Sequence, residues 1–240
     1  MPPVGGIFND AGKVDCTWED KTMDYQQIDN YLAELCRVYT ALGEDVVWEK
    51  APAATEAELA AAETELGRRL PDSLRDFFKN YSKSCTFEMF FSDEFEEQLP
   101  EELDEIFSAC FTISLDVLLE EEADRKQWWL ADMEDEYDRI CRNALAFMGV
   151  GNGDLLAFDL LQDSSDPRVI YLSHEGDESH GMVLGSSFAD YFERLLKVGG
   201  CGPEDWQMEP FCDNRTDGIN PNCANAEKYR AIIGLHWENA

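Results

Sequence analysis

Residues 144–198 read ALAFMGVGNGDLLAFDLLQDSSDPRVIYLSHEGDESHGMVLGSSFADYFERLLKV, and the order of signals in them decides the fold. An apolar run at 144–150 stops at Gly151-Asn152-Gly153, and a second at 155–160 begins almost at once. Asn-Gly in so short a gap is a hairpin signal, because the favoured two-residue turn needs positive φ. A Ser-, Asp- and Pro-bearing turn at 162–167 leads to a β-branched and aromatic run at 168–172. A polar loop, 174–181, separates this from a short apolar run at 182–184. A helix then starts behind Ser186 or Ser187, either of which can cap it. Phe188, Tyr191, Phe192, Leu195 and Leu196 repeat every three or four residues along it, and Gly199-Gly200 ends it. Three consecutive strands closed by an amphipathic helix make a scaffold, not a reaction centre.

Upstream, helices dominate. Residues 24–42 form the first, with Asp24 and Gln27 as an approximate capping box and Ile28, Leu32, Leu35, Tyr39 and Leu42 as its apolar stripe. Residues 48–54, with Pro52, read as a connection. Thr55-Glu56-Ala57-Glu58 is a full capping box for a helix burying Leu59, Ala62 and Leu66. Pro71 opens another, in which Leu74, Phe77, Phe78 and Tyr81 form a core stripe. Residues 86–91 have strand composition, 92–105 form an acidic connection, and 111–113 are a short strand. A long helical pattern follows from Ser114, with Leu115, Leu118 and Leu119 inward and Trp129, Met133, Tyr137 and Ile140 continuing it after a break. The expected organisation is an N-terminal arm at 1–23, one domain at 24–198 and an extension at 199–240.

Charge bounds the partners. The 240 residues carry a net −32, from 51 acidic against 19 basic side chains. Such a chain is not expected to bind nucleic acid, where affinity comes from cations neutralising phosphates, and anionic membranes would repel it. It favours a basic protein, whose encounter it can steer. The acid is also concentrated: residues 88–138 hold 19 Asp/Glu and two Lys/Arg. Candidate contacts are Asp93, Glu94, Glu96 and Glu97 in the connection, and Glu120, Glu121, Glu122, Asp124, Asp132 and Asp135 on the long helix. Hydrophobic content of 44% excludes general disorder. No apolar run approaches the roughly 20 residues that span a bilayer. Residues 1–20 lack an export signal's basic start and apolar centre, so a cytoplasmic protein is expected.

Chemistry is sparse. Gly149-x-Gly151-x-Gly153 resembles a nucleotide loop but precedes a strand, so no helix N-terminus would face a phosphate. His174, Glu175, Asp177, Glu178 and His180 share one loop, which reads either as a divalent-cation or acid–base group or as an exposed turn. No ligand pair there has a recognised spacing, which favours the turn and leaves His174, Glu175, Asp177 and Glu178 as partner contacts. Cys201, Cys212 and Cys223, with His236 following, admit a Cys3His zinc site. Structural zinc ligands arrive as close pairs and no C-x-x-C occurs, which favours free or locally buried thiols. No catalytic residue, metal or other cofactor is expected.

Three segments together resemble the SMI1/KNR4 (SUKH) superfamily. They are ELAAAETELGRRLPDSLRDFFKNY at 58–81, FTISLDVLL at 111–119, and the G-x-G-D-L-L-A-F-D hairpin, V-I-Y-L-S-H strand and S-F-x-D-Y-F helix within 149–196. The resemblance implies an α+β domain with a mixed, mostly antiparallel sheet flanked by helices, and no catalytic residues. Bacterial members are largely immunity proteins of polymorphic or contact-dependent toxin systems, and fungal members are regulatory scaffolds of cell-wall synthesis and signalling. The expected function is therefore immunity: a non-enzymatic acidic module neutralising a cationic toxin, such as a nuclease domain. The scaffold reading is the alternative, and a metal-binding protein or enzyme is a third.

Overall fold

The computed structural model describes residues 23–130 and 139–236. Helix α1 (Tyr25–Leu42) begins behind Asp24, whose carboxylate accepts the Gln27 N–H at 3.0 Å, and stops where Gly43 turns to φ 97°. Strand β1 (Val46–Lys50) follows. The sequence reads as a connection here, since charge and Pro52 interrupt it. The pairing of Val46 with Met89 through to Lys50 with Cys85 makes it a strand. Helix α2 (Glu56–Leu66) has the expected capping box with both limbs formed, and α3 (Asp72–Asn80) begins behind Pro71.

Strands β2 (Ser84–Phe90) and β3 (Ser108–Ser114) complete an antiparallel sheet in the order β1-β2-β3. The acidic connection between them forms a single turn, α4 (Asp93–Glu96), and a 3-10 turn at Glu101–Leu103. Helix α5 (Leu115–Asp124) runs into a π turn at Arg125–Trp129, and α6 (Arg139–Arg142) is one turn long. Met133, Tyr137, Asp132 and Asp135 lie outside the described residues.

The second sheet is also antiparallel, with β4 (Ala144–Gly149), β5 (Leu155–Asp159), β6 (Val169–Leu172) and β7 (Val183–Gly185) in sequence order. Helix α7 (Phe188–Lys197) is capped by Ser187 and buries all five residues of its stripe. The α+β class is as the sequence implies. The strands divide between two sheets, and among the described residues parallel pairing is confined to a single bridge, Ala109 to Gly202. The remaining helices are α8 (Asp205–Met208) and α9 (Ala224–Ile233).

The two sheets differ in how they are covered. Rings of α1, α3 and α7 close one side of both: Tyr39 against Phe87, Phe192 against Phe77 and Phe111, and Phe188 against Phe147. The far side of the second sheet carries its own apolar cluster, with Ala146, Leu155, Ala157, Ile170 and Leu172 under Trp129, Leu130 and Ile140. Buried on both faces, its strands read as continuous apolar runs. Among the described residues, the far side of β1-β2-β3 has no such cover. Strand β2 alternates accordingly, with Cys85, Phe87 and Met89 inward and Glu88 and Phe90 exposed.

Residues 199–236 share the main core. Met208, Phe211, Ile219 and Tyr229 are fully buried, the Tyr39 hydroxyl donates to the Gly199 carbonyl at 2.6 Å, and Gln207 accepts the N–H groups of Phe107 and Ser108. The three tail cysteines are used locally. Cys201 is buried, the Cys212 thiol donates to the Met208 carbonyl, and the Cys223 sulfur accepts the Ala226 N–H at 3.3 Å as the cap of α9.

Candidate functional site

The open side of β1-β2-β3 holds a cleft of about 520 Å³. Its floor is Thr86, Glu88 and Phe90 of β2 with Cys110 and Thr112 of β3, placed side by side by the register Thr86–Thr112, Glu88–Cys110 and Phe90–Ser108. Val117 and Glu121 of α5 form one wall, Met148 to Gly151 the next, and Pro203 with Glu204 the last. Among the described residues, the lining therefore contains three carboxylates, Glu88, Glu121 and Glu204, and no Lys or Arg. Phe90 is 53% exposed beside them, and Val47 of β1 continues the apolar strip at 42%.

Backbone geometry lets these acids come close. A Cβ on Gly149 would lie 2.3 Å from a Glu121 carboxylate oxygen, and one on Gly151 would lie 3.1 Å from Glu204. The glycine spacing that imitates a nucleotide loop thus makes room for two carboxylates at the end of β4. Glu121 prefers its proton more than a free glutamate does, through burial first and then the fields of Asp124 and Glu120. The Cys110 thiol is pushed up to about 11, mainly by burial, with Glu88 and Glu204 adding to it. It stays a neutral part of the floor at physiological pH.

The expected contact residues fall into separate places. Asp93, Glu94 and Glu97 are exposed on the β2–β3 connection, and Glu96 is half-buried, its pKa raised by that burial first and then by Asp93 and Glu44. Glu120 and Asp124 are exposed, and Glu121 lines the cleft. Glu122 is not a surface group: it is 3% exposed. Its carboxylate accepts both Nε and Nη2 of the equally buried Arg125 at 2.7 Å and the Ala146 N–H at 3.0 Å. That acid closes α5 onto β4 and is unavailable to a partner. Asp132 and Asp135 lie outside the described residues.

The 174–178 loop is a second acidic surface. Buried Asp154 organises it, accepting the His174 N–H and, from the Tyr171 hydroxyl, a bond of 2.6 Å, while His174 Nδ1 lies 2.6 Å away. Burial and Asp154 hold the Tyr171 phenol neutral. Glu175, Asp177 and Glu178 are exposed, and Glu209 of the tail has a raised pKa through burial first and then Asp205, with Asp177 and Glu178 adding to it. Among the described residues, no three His, Cys, Asp or Glu side chains converge as a metal would require. No described helix is long and apolar enough to cross a membrane.

Helices packed on one side of antiparallel sheets make this an α+β domain. The chain belongs to the SMI1/KNR4 family (SUKH-1), whose model matches residues 53–194. Domains of this family are known as toxin-immunity modules and are in general non-catalytic. A search of curated proteins returns no match to this chain.

Proposed function

We propose that this protein is an acidic immunity module that neutralises a cationic toxin domain, with the cleft on β1-β2-β3 as the centre of contact. One observation carries the reading. Glu88 on the floor and Glu121 and Glu204 on the walls face one cleft beside the exposed Phe90, with no cation in the lining among the described residues, although the fold pairs many of its other acids. A Lys or Arg from a partner supplies the missing charge, and its aliphatic stem packs on Phe90 and Val47. The exposed acids Asp93, Glu94, Glu97, Glu120 and Asp124, the half-buried Glu96 and the 174–178 loop then act at longer range, raising the encounter rate in a salt-dependent way. The mechanism is occlusion: acid occupies the basic surface that a nuclease would present to phosphate.

The test is a charge reversal, Glu88→Lys with Glu121→Lys, in cells expressing a candidate toxin domain taken from the reading frame beside this gene. Loss of growth rescue, together with association about tenfold slower or more at low salt, is the expected result. Unchanged rescue and unchanged association would remove the cleft from the reading.

A further inference from the structure

Two open sheets have four edges, and this chain covers three of them itself. The β3 edge gives its Cys110 N–H to the Gly202 carbonyl at 3.2 Å. The β4 edge gives its Ala146 N–H to the Glu122 carboxylate. The β7 edge bonds the 215–219 segment, through Val183 N–H to Arg215 and Ile219 N–H to Leu184. Strand β1 is treated differently. Ala51 N–H bonds the Ser84 carbonyl at 2.8 Å, which extends the ladder and fixes its phase. Directions alternate along an antiparallel strand, so Val47 and Glu49 face β2 while Val46, Trp48 and Lys50 turn their N–H and C=O groups outward. Among the described residues nothing bonds these outward main-chain groups.

We propose that β1 is a docking edge that accepts an extended, basic segment of the partner protein as an added strand. The inference rests on the reading above for the occupant's charge, while the open edge stands on its own. The flanking charge selects the occupant. Glu44 and Asp45 precede the strand, Glu49 is exposed on it, Glu88 lies across from Val47, and Lys50 is already held by Asp29 at 2.7 Å. A second copy of this chain would bring −32 against −32, which guards the edge against self-pairing. An added strand places alternate side chains on the open face beside Val47 and Glu49, so a Lys or Arg alternating with a β-branched residue fits both. It also widens the open face of the sheet by one strand.

A capped octapeptide of alternating Lys and Val tests this, against a twin N-methylated at every amide. The twin keeps the charge and loses every main-chain donor. We expect the unmethylated peptide to bind the full-length protein at least about tenfold more tightly. We also expect it to slow amide exchange at Val46, Trp48 and Lys50 far more than at Val47 and Glu49. Equal binding of the two peptides overturns strand addition and leaves the basic-partner reading standing. Tighter binding of the unmethylated peptide without the alternating protection overturns strand addition as well. If neither peptide binds, both readings fail.

Discussion

Glu120, Glu121 and Glu122 are chemically identical neighbours, and the structure assigns them three different responses to the same substitution. Glu122→Gln is the severe one. Its carboxylate takes two bonds from Arg125 and one from Ala146 N–H, all donors, and the amide nitrogen of Gln would meet one of them donor to donor. Arg125 is 3% exposed, so it keeps its charge without water to replace the lost partner. Breaking one side of such a pair costs about 3–5 kcal/mol. At about 2–4 °C per kcal/mol for a chain of this size, the melting temperature falls by roughly 6–20 °C. Replacing both partners, Glu122→Leu with Arg125→Met, recovers part of that. The Ala146 N–H then remains without the carboxylate, at about 1–3 kcal/mol.

The neighbours set the contrast. Glu120 is exposed, and Glu120→Gln should change stability by no more than about 0.5 kcal/mol. Glu121 binds its proton more tightly folded than unfolded. The charged form therefore opposes folding above the folded pKa, and the opposition disappears below the unfolded carboxylate value of about 4.3. Glu121→Gln should raise the melting temperature at pH 7 and leave it unchanged near pH 3.5. Urea and thermal unfolding of the three variants, followed by circular dichroism at both pH values, reads all of this. A Glu122→Gln protein within about 1 kcal/mol of wild type would refute the buried-pair argument.

Three further perturbations have defined outcomes. Gly149→Ala drives a methyl toward Glu121, whose flexible end gives way. Stability should fall by no more than about 1 kcal/mol while affinity for a cationic partner drops, and a lost fold would contradict this. Glu58 is held down to about 2, first by Lys83 and then by the Thr55 N–H and hydroxyl. Its stabilisation is complete above the unfolded pKa of about 4.3 and is lost as pH falls toward 2, so Glu58→Gln should flatten that limb of the melting-temperature profile. Cutting the chain after residue 198 removes Met208, Phe211 and Tyr229 from the core and uncovers Tyr39. Loss of a cooperative thermal transition is expected, and an intact one would make the tail dispensable.

What the sequence reveals follows from how each segment is stabilised. The second sheet and α7 are legible because burial on both faces makes β4, β5 and β6 continuously apolar and gives the helix a regular stripe. Strand β1 is not, because Val46–Lys50 becomes a strand through its ladder with β2 rather than through its own composition. The cleft was hidden for another reason: Glu88, Glu121 and Glu204 sit on different elements, and sequence distance says nothing of their convergence. Glu122 did leave a signal. Leu115, Leu118, Glu122 and Arg125 fall three or four residues apart on one helical face, which places the acid on the apolar stripe beside a cation. Counting charge along the segment masks that phase.

The same covering that makes the second sheet legible explains why the binding surface sits on the first. A sheet sealed on both faces, with its edges bonded by Glu122 and the 215–219 segment, offers a partner little side chain or main chain. Among the described residues, the β1-β2-β3 sheet keeps one face bare, with Phe90 and Val47 exposed, and one edge unpaired, and it gathers acids where no cation of those residues meets them. Each of these features costs stability or solubility in isolation. Together they supply apolar contact, main-chain hydrogen bonds and charge within one surface. Those are complementary needs of a basic, extended partner segment, and a copy of the chain itself fails the charge requirement. A partner that used only the charge would leave the bare edge and the exposed phenylalanine without a role, which is why the N-methylated peptide, rather than salt dependence, separates the two.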